Sequence, residues 1–78
     1  MIKDFQELSR EMGKATREET WDDNRYGYYN RIDYLNTLLD VYIQAEANAA
    51  AEGWVGVGCI TYAEIAMRNY QKENPYEV

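Results

Sequence analysis

Residues 28–52, YYNRIDYLNTLLDVYIQAEANAAAE, carry the longest uninterrupted helical pattern in the chain. At 100° per residue, one side of this helix is apolar and the other is polar. The apolar side spans roughly 200°, wider than the stripe of about 100° expected of a helix packed on one side. The pattern therefore predicts a long central helix that contacts two neighbours, or one neighbour and a partner chain. Gly53 follows it, where a left-handed cap belongs.

Two charged residues of this helix, Arg31 and Glu46, project into the apolar arc. Each lies near an end of the helix, where a long side chain reaches water, and this interpretation predicts that both are solvated. The alternative is that Glu46 is buried and paired with a tyrosine hydroxyl or a basic residue.

Shorter helical patterns lie on either side of the central helix. Residues 2–17 form a first amphipathic helix with Ile2, Phe5, Leu8, Met12 and Ala15 on its apolar side. Residues 62–72 form the last helix, and its apolar side is expected to present Tyr62, Ile65, Ala66 and Tyr70, with Glu64, Arg68, Gln71 and Lys72 facing water.

The last helix carries the most specific local signal in the chain. Thr61 and Glu64 have the spacing of a capping box, and Ile60 and Ile65 stand at the positions of a hydrophobic staple. Pro75 follows the helix, and residues 74–78 are predicted to form a flexible tail.

The two connections differ in character. Residues 18–27, EETWDDNRYG, are acidic, and the central helix begins either after Gly27 or earlier, at Asp22 or Asp23. Residues 53–60, GWVGVGCI, are predicted to form a Gly-rich loop whose side chains plug the end of the bundle; the alternative is a binding loop anchored by Trp54. Together the patterns predict one all-α domain over residues 1–78, a small three-helix bundle with a long central helix and a Gly-rich loop before the last helix.

Composition bounds the function. The chain has 14 acids, eight bases, no His and one Cys, with a formal net charge of -6. Nucleic acid is therefore not an expected direct partner, and neither an internal disulfide nor a histidine zinc cluster can form. There is no apolar run long enough for a membrane span and no secretory h-region, so no membrane partner is expected and the predicted location is cytoplasmic.

One stretch resembles an EF-hand calcium loop. Residues 22–33 place Asp22, Asn24 and Gly27 at loop positions one, three and six. Tyr26 replaces a ligand at position five, and Asp33 is too short to reproduce the bidentate glutamate of position twelve. Calcium binding is therefore the least favoured alternative, and no metal site or cofactor is predicted.

No constellation of catalytic groups is visible. Cys59 has no histidine to activate it, and scattered carboxylates in so short a chain are expected to be surface groups. We therefore expect a non-enzymatic protein.

The charge and the eight tyrosines point to protein binding. Tyrosine and tryptophan are enriched at protein interfaces, and an acidic surface suits a protein partner with a basic surface. The predicted partner-binding residues are four acids of the first connection, two acids of the central helix and nearby aromatic residues: Glu18, Glu19, Trp21, Asp22, Asp23, Tyr26, Tyr28, Tyr29, Asp33 and Asp40.

In size and composition the chain is similar to small acidic inhibitors of phage and mobile elements, of the anti-CRISPR or anti-restriction type. That similarity implies occupation of a basic nucleic-acid-binding surface of a host protein, because carboxylates along a helix can imitate a nucleic-acid backbone. The alternative is a structural homo-oligomer, such as a homodimer, in which the wide apolar arc of residues 28–52 is completed across subunits.

Overall fold

The computed structural model describes the backbone of residues 1–21 and 25–76, and the side chains of residues 1–16 and 31–76. Three helices make up this part of the chain, α1 (Phe5–Trp21), α2 (Arg25–Ala51) and α3 (Val57–Glu73). The predicted all-α three-helix fold is confirmed. The 27 residues of α2 extend over about 40 Å at about 1.5 Å per residue, close to the longest dimension of 46 Å.

The core lies along one side of α2, where α1 and α3 both pack against that helix and barely contact each other. Its buried members come from all three helices: Leu8, Ala15, Leu35, Leu38, Tyr42, Ala45, Ala63 and Met67. Phe5 at the start of α1 stacks on Tyr42, with ring centroids 5.0 Å apart. The last two turns of α2 therefore lie beyond the start of α1, and they pack as a two-helix hairpin with α3.

The start of α1 differs from the prediction. Ile2 precedes the helix, and Asp4 caps it: its Oδ1 accepts the Glu7 N–H at 2.7 Å. An Asp followed three residues later by Glu is itself an N-terminal helix signal. Ile2 is held against the end of α3 by Gln71.

The end of α2 confirms the expectation for Gly53. Its φ is +96°, its N–H donates to the Ala50 carbonyl at 3.1 Å, and the next N–H, of Trp54, donates to Ala49 at 3.0 Å. These two bonds form a Schellman motif. The chain then turns at Gly56, whose φ is +58°, and α3 begins immediately after it.

The predicted capping box is therefore wrong, because Thr61 lies inside α3 rather than at its start. The Gly-rich loop is correspondingly short, ending at Gly56 instead of residue 60. The reason is tertiary: an earlier helix start puts Cys59 in line with Ala63, and both are buried. Packing against α2 outweighs a local cap of about 1 kcal/mol.

The face of α3 that meets α2 is also rotated relative to the prediction. Its buried residues recur every four positions, at Cys59, Ala63, Met67 and Gln71. Tyr62 and Ile65 are exposed, and so is Ile60, so the predicted core positions of the first two and the predicted staple are wrong. Gln71, predicted to face water, is buried. Ala66 and Tyr70 are partly buried against the core, as expected.

The apolar arc of α2 is covered over most of its width by α1 and α3, but not over all of it. Ile43 is 51% exposed and Ala50 is exposed. Glu46 is exposed, so the alternative of a buried pair is wrong. Arg31 is partly exposed and forms an ion pair with Glu11.

The first connection is shorter than expected, because Glu18–Trp21 belongs to α1 and Arg25–Gly27 belongs to α2. Residues 25–33 are helical, so they do not have the loop geometry that a calcium-binding EF-hand requires. Asp22, Asp23 and Asn24 lie outside the described residues. Over the described chain, no helix combines the length and the apolar character needed to cross a membrane.

Candidate protein-interaction surface

Only part of the predicted partner-binding patch can be located. Asp33 and Asp40 are exposed on α2, seven residues apart and so on nearly the same side of the helix. Asp22 and Asp23 are outside the described residues. The side chains of the remaining six predicted residues are also outside the described part: Glu18, Glu19, Trp21, Tyr26, Tyr28 and Tyr29.

The α2–α3 hairpin has a charge pattern that the sequence analysis missed. Between Arg31 and Arg68 the chain contains no Lys or Arg and five acids, Asp33, Asp40, Glu46, Glu52 and Glu64. Four of these carboxylates are exposed, and Glu64 is partly exposed. The part of the hairpin between Arg31 and Arg68 therefore carries charges of one sign only, which attract cationic groups and repel anionic ones.

A groove between α2 and α3 brings acidic and aromatic groups together. It has a volume of about 430 Å³, and Asp40, Gln44 and Asn48 of α2 face Tyr62 and Ala66 of α3 across it. Tyr62 is 43% exposed. Asp40 belongs to the predicted partner-binding residues, whereas Tyr62 was predicted to be a core residue.

The turn between α2 and α3 exposes apolar side chains instead of burying them. Val55 is 82% exposed, Val57 76%, Trp54 51% and Ile60 44%. We call these four residues the hairpin tip. The predicted plug is therefore wrong, because these side chains do not fill the end of the bundle. Contiguous exposed apolar groups with a polar surround are typical of interaction surfaces.

Trp54 is fixed at three points although half of its surface is exposed. Its backbone N–H donates to the Ala49 carbonyl at 3.0 Å, and its backbone carbonyl accepts a hydrogen bond from the Cys59 thiol at 3.3 Å. The indole lies over Gly58 so closely that a Cβ there would be 2.8 Å from Cε3. The ring therefore already has a packing contact with Gly58 in the free chain, and a side chain with such a contact loses less freedom on binding.

Most of the tyrosines whose side chains are described serve the fold. Tyr34 stacks with Tyr70 and Tyr76 at centroid distances of 6.4 and 5.3 Å, and its hydroxyl donates to the Asn74 carbonyl at 2.8 Å. Part of the predicted tail therefore lies against α2. Burial, followed by the neighbouring Tyr70, raises the pKa of Tyr34.

Tyr42 links the core to the acidic surface. It is a buried core residue, and burial raises the pKa of its hydroxyl, with further contributions from the carboxylates of Glu46 and Glu64. The Tyr42 hydroxyl therefore experiences carboxylates of both α2 and α3.

The opposite end of the molecule has a cleft of about 420 Å³ between the N-terminal segment and the end of α3. The Gln71 amide accepts from the Ile2 N–H at 2.9 Å and donates to the Ile2 carbonyl at 2.6 Å. An ion pair of 2.7 Å between Arg31 and Glu11 lines the same cleft, and the Arg31 Nε is buried without a hydrogen-bond partner. These contacts hold the N-terminal segment in place.

Within the described ranges 1–21 and 25–76, no group of three or more Cys, Asp or Glu side chains is arranged to hold a metal ion. Cys59 is a buried free thiol whose contact to Trp54 belongs to the hairpin turn.

The segment without Lys or Arg between Arg31 and Arg68 could have been noticed in the sequence, but the full hairpin tip could not. The absence of Lys and Arg over 36 residues is a plain compositional signal. The exposure of Val57 and Ile60 could not be predicted in the same way, because it depends on where α3 begins. The predicted cap at Thr61 placed that start too late in the chain.

Comparisons with known proteins add no family. No protein-family model, curated protein or solved structure matches this chain.

Proposed function

We propose that this chain is a non-enzymatic, acidic protein-binding module that occupies a basic surface of another protein. The proposal rests on one observation about the α2–α3 hairpin. Between Arg31 and Arg68 it contains five carboxylates and no Lys or Arg. Carboxylates that lack an internal cation remain available to lysines and arginines of a partner.

Basic surfaces of this kind commonly bind nucleic acid, so the proposal extends to an inhibitor that competes with nucleic acid for such a surface. The spacing of Asp33 and Asp40 along one side of α2, with Glu46 further along the helix and Glu52 just after its end, supports this extension. The chain's own formal charge of -6 argues against direct binding to nucleic acid.

The test is capture of partners from a cell lysate by the immobilised chain, followed by elution with duplex DNA. A partner that binds through a nucleic-acid surface is released by the DNA and by a rise from about 50 to about 500 mM salt. Binding that survives both treatments contradicts the proposal.

A matched pair of variants sharpens this test. Glu46→Lys and Glu73→Lys change the net charge equally at exposed positions, but Glu73 lies at the end of α3, outside the base-free segment. Reversal at Glu46 is expected to weaken binding by about fivefold, about 1 kcal/mol for one exposed charge, and reversal at Glu73 by less than that. Equal effects would mean that net charge, not the hairpin, attracts the partner.

A homodimer is the second candidate function, and the half-exposed Ile43 on α2 is the observation that favours it. A dimer joined through the hairpin would bring carboxylates of two copies together, which disfavours association. Sedimentation at high protein concentration separates the two candidates, because the first expects a monomer.

A further inference from the structure

The hairpin tip combines four apolar side chains that are each at least 44% exposed within seven residues of the chain. Val55 and Val57 are more than three-quarters exposed, although neither position requires a valine for the turn, whose geometry comes from Gly53 and Gly56. We infer that the hairpin tip docks onto an apolar face, rimmed by lysine or arginine, on a partner protein, with the Trp54 indole as the anchor.

The orientation of Trp54 supports an anchoring role. Tryptophan is enriched among residues that dominate binding energy, and a ring held before binding loses little freedom in the complex. The backbone N–H and carbonyl of Trp54 both form hydrogen bonds, and its ring packs on Gly58, while half of its surface remains exposed. Val55 and Val57 beside it add apolar contact area. Because valine side chains are restricted at χ1, they lose little conformational entropy on binding.

The charge around the hairpin tip selects the chemistry of the partner. Glu52 precedes Trp54 by two residues, Glu64 lies one helical turn beyond Ile60, and the nearest cations along the chain are Arg31 and Arg68. The rim of the apolar surface is therefore acidic, and a complementary surface carries lysine or arginine around an apolar centre.

The same charge disfavours two other occupants. A second copy of the chain would place Glu52 and Glu64 against their own counterparts, and an anionic lipid surface would repel them. The acidic rim therefore favours a basic protein over self-association or a membrane.

This inference rests on the proposed function and makes it specific to one surface. The probe is a helical amphipathic peptide of lysine and leucine, compared with a glutamate–leucine peptide of the same pattern. Binding is followed by calorimetry with the unsubstituted chain.

The decisive variants are Val55→Ser with Val57→Ser, because side chains this exposed contribute little to folding, and circular dichroism verifies that the fold is retained. The matched control is Ile43→Ser, an exposed apolar residue on α2 away from the turn. The double variant is expected to bind the lysine–leucine peptide tenfold or more weakly, because two apolar side chains leave the interface. The control is expected to change affinity by less than twofold, and the glutamate–leucine peptide is expected not to bind.

Three results would overturn the inference. The first is that the double variant binds the lysine–leucine peptide with unchanged affinity. If Glu46→Lys still weakens binding in that case, the proposed function holds but does not use the hairpin tip. Another is a concentration-dependent dimer of the parent chain that the double variant abolishes, which would make a second copy the occupant. The third is equal binding of both peptides. If neither the double variant nor Glu46→Lys changes binding, the proposed function fails as well.

Discussion

Replacing Gly58 with alanine tests whether the Trp54 ring packs on Gly58, as it does in the structure. An alanine Cβ at this position would lie 2.8 Å from Cε3 of the indole, well inside ordinary van der Waals contact. Gly13, in the middle of α1, is the matched control, because a Cβ there meets no heavy atom within 4 Å. Both glycines are helical, so the two substitutions differ mainly in the presence of the ring.

The magnitudes follow from two opposing terms. Alanine in place of a helical glycine stabilises by up to about 1 kcal/mol, and Gly13→Ala should approach this value. At Gly58 the ring must shift by more than about half an ångström, which costs about 0.5–1.5 kcal/mol if it leaves its rotamer well. Complete displacement into solvent would expose the buried half of a side chain of roughly 250 Å², about 3 kcal/mol at about 25 cal/mol/Å². Gly58→Ala is therefore expected to destabilise by between zero and about 2 kcal/mol.

Thermal unfolding with both single variants provides the measurement. For a domain of this size about 1 kcal/mol corresponds to roughly 4–8 °C in Tm, so the variants should shift Tm in opposite directions or differ clearly. Trp54 emission should move to longer wavelength in Gly58→Ala only. Equal stabilisation by both alanines, with unchanged emission, would refute the seating of the ring on Gly58.

Three further predictions concern the rest of the fold. Gln71→Ala leaves the partly buried N–H and carbonyl of Ile2 unpaired and should lower the free energy of unfolding, measured in urea, by about 1–3 kcal/mol. Glu11→Gln removes the ion pair with Arg31, whose side chains are about one-third exposed; unfolding should change by less than about 1 kcal/mol, and the change should shrink at high salt. Tyr42 has a raised pKa, so the folded protein holds its proton more tightly than the unfolded chain does. The stabilisation that Tyr42 gives to the folded protein is complete below about pH 10 and is lost as the pH rises through the pKa of the folded protein. Tyr42→Phe should therefore reduce the loss of stability that is measured above pH 10.

The sequence predicted the elements whose burial follows from a long periodic pattern. The apolar side of α2 correctly included Leu35, Leu38, Tyr42 and Ala49, because 27 residues of one helix average out local irregularities. The Gly53 cap was also predictable, since the left-handed conformation is a local requirement that few other residues satisfy.

The errors in α3 have a different origin. Thr61 and Glu64 have the spacing of a capping box, yet the helix begins five residues earlier than predicted because Cys59 packs with Ala63 against α2. Gln71 is buried because the N-terminal segment returns to it, a contact 69 residues apart in the chain. Local signals carry no information about either contact.

The predicted partner-binding site stays a prediction. Asp33 and Asp40 are exposed, and Tyr62 and Trp54 are exposed aromatic residues outside the predicted set, whereas the side chains of the predicted aromatic residues lie outside the described part of the chain. The sequence could indicate acidic and aromatic groups, but which rings remain exposed depends on the rotation of α3 about its axis.

The most direct measurement of the central claim is a map of backbone amide shifts while the lysine–leucine peptide is titrated into the ¹⁵N-labelled chain. The account predicts that the largest shifts fall between Glu52 and Ile65, with saturation at one peptide per chain and loss of the effect at high salt. Shifts concentrated in α1, or spread evenly over all three helices, would contradict a docking surface at the hairpin tip.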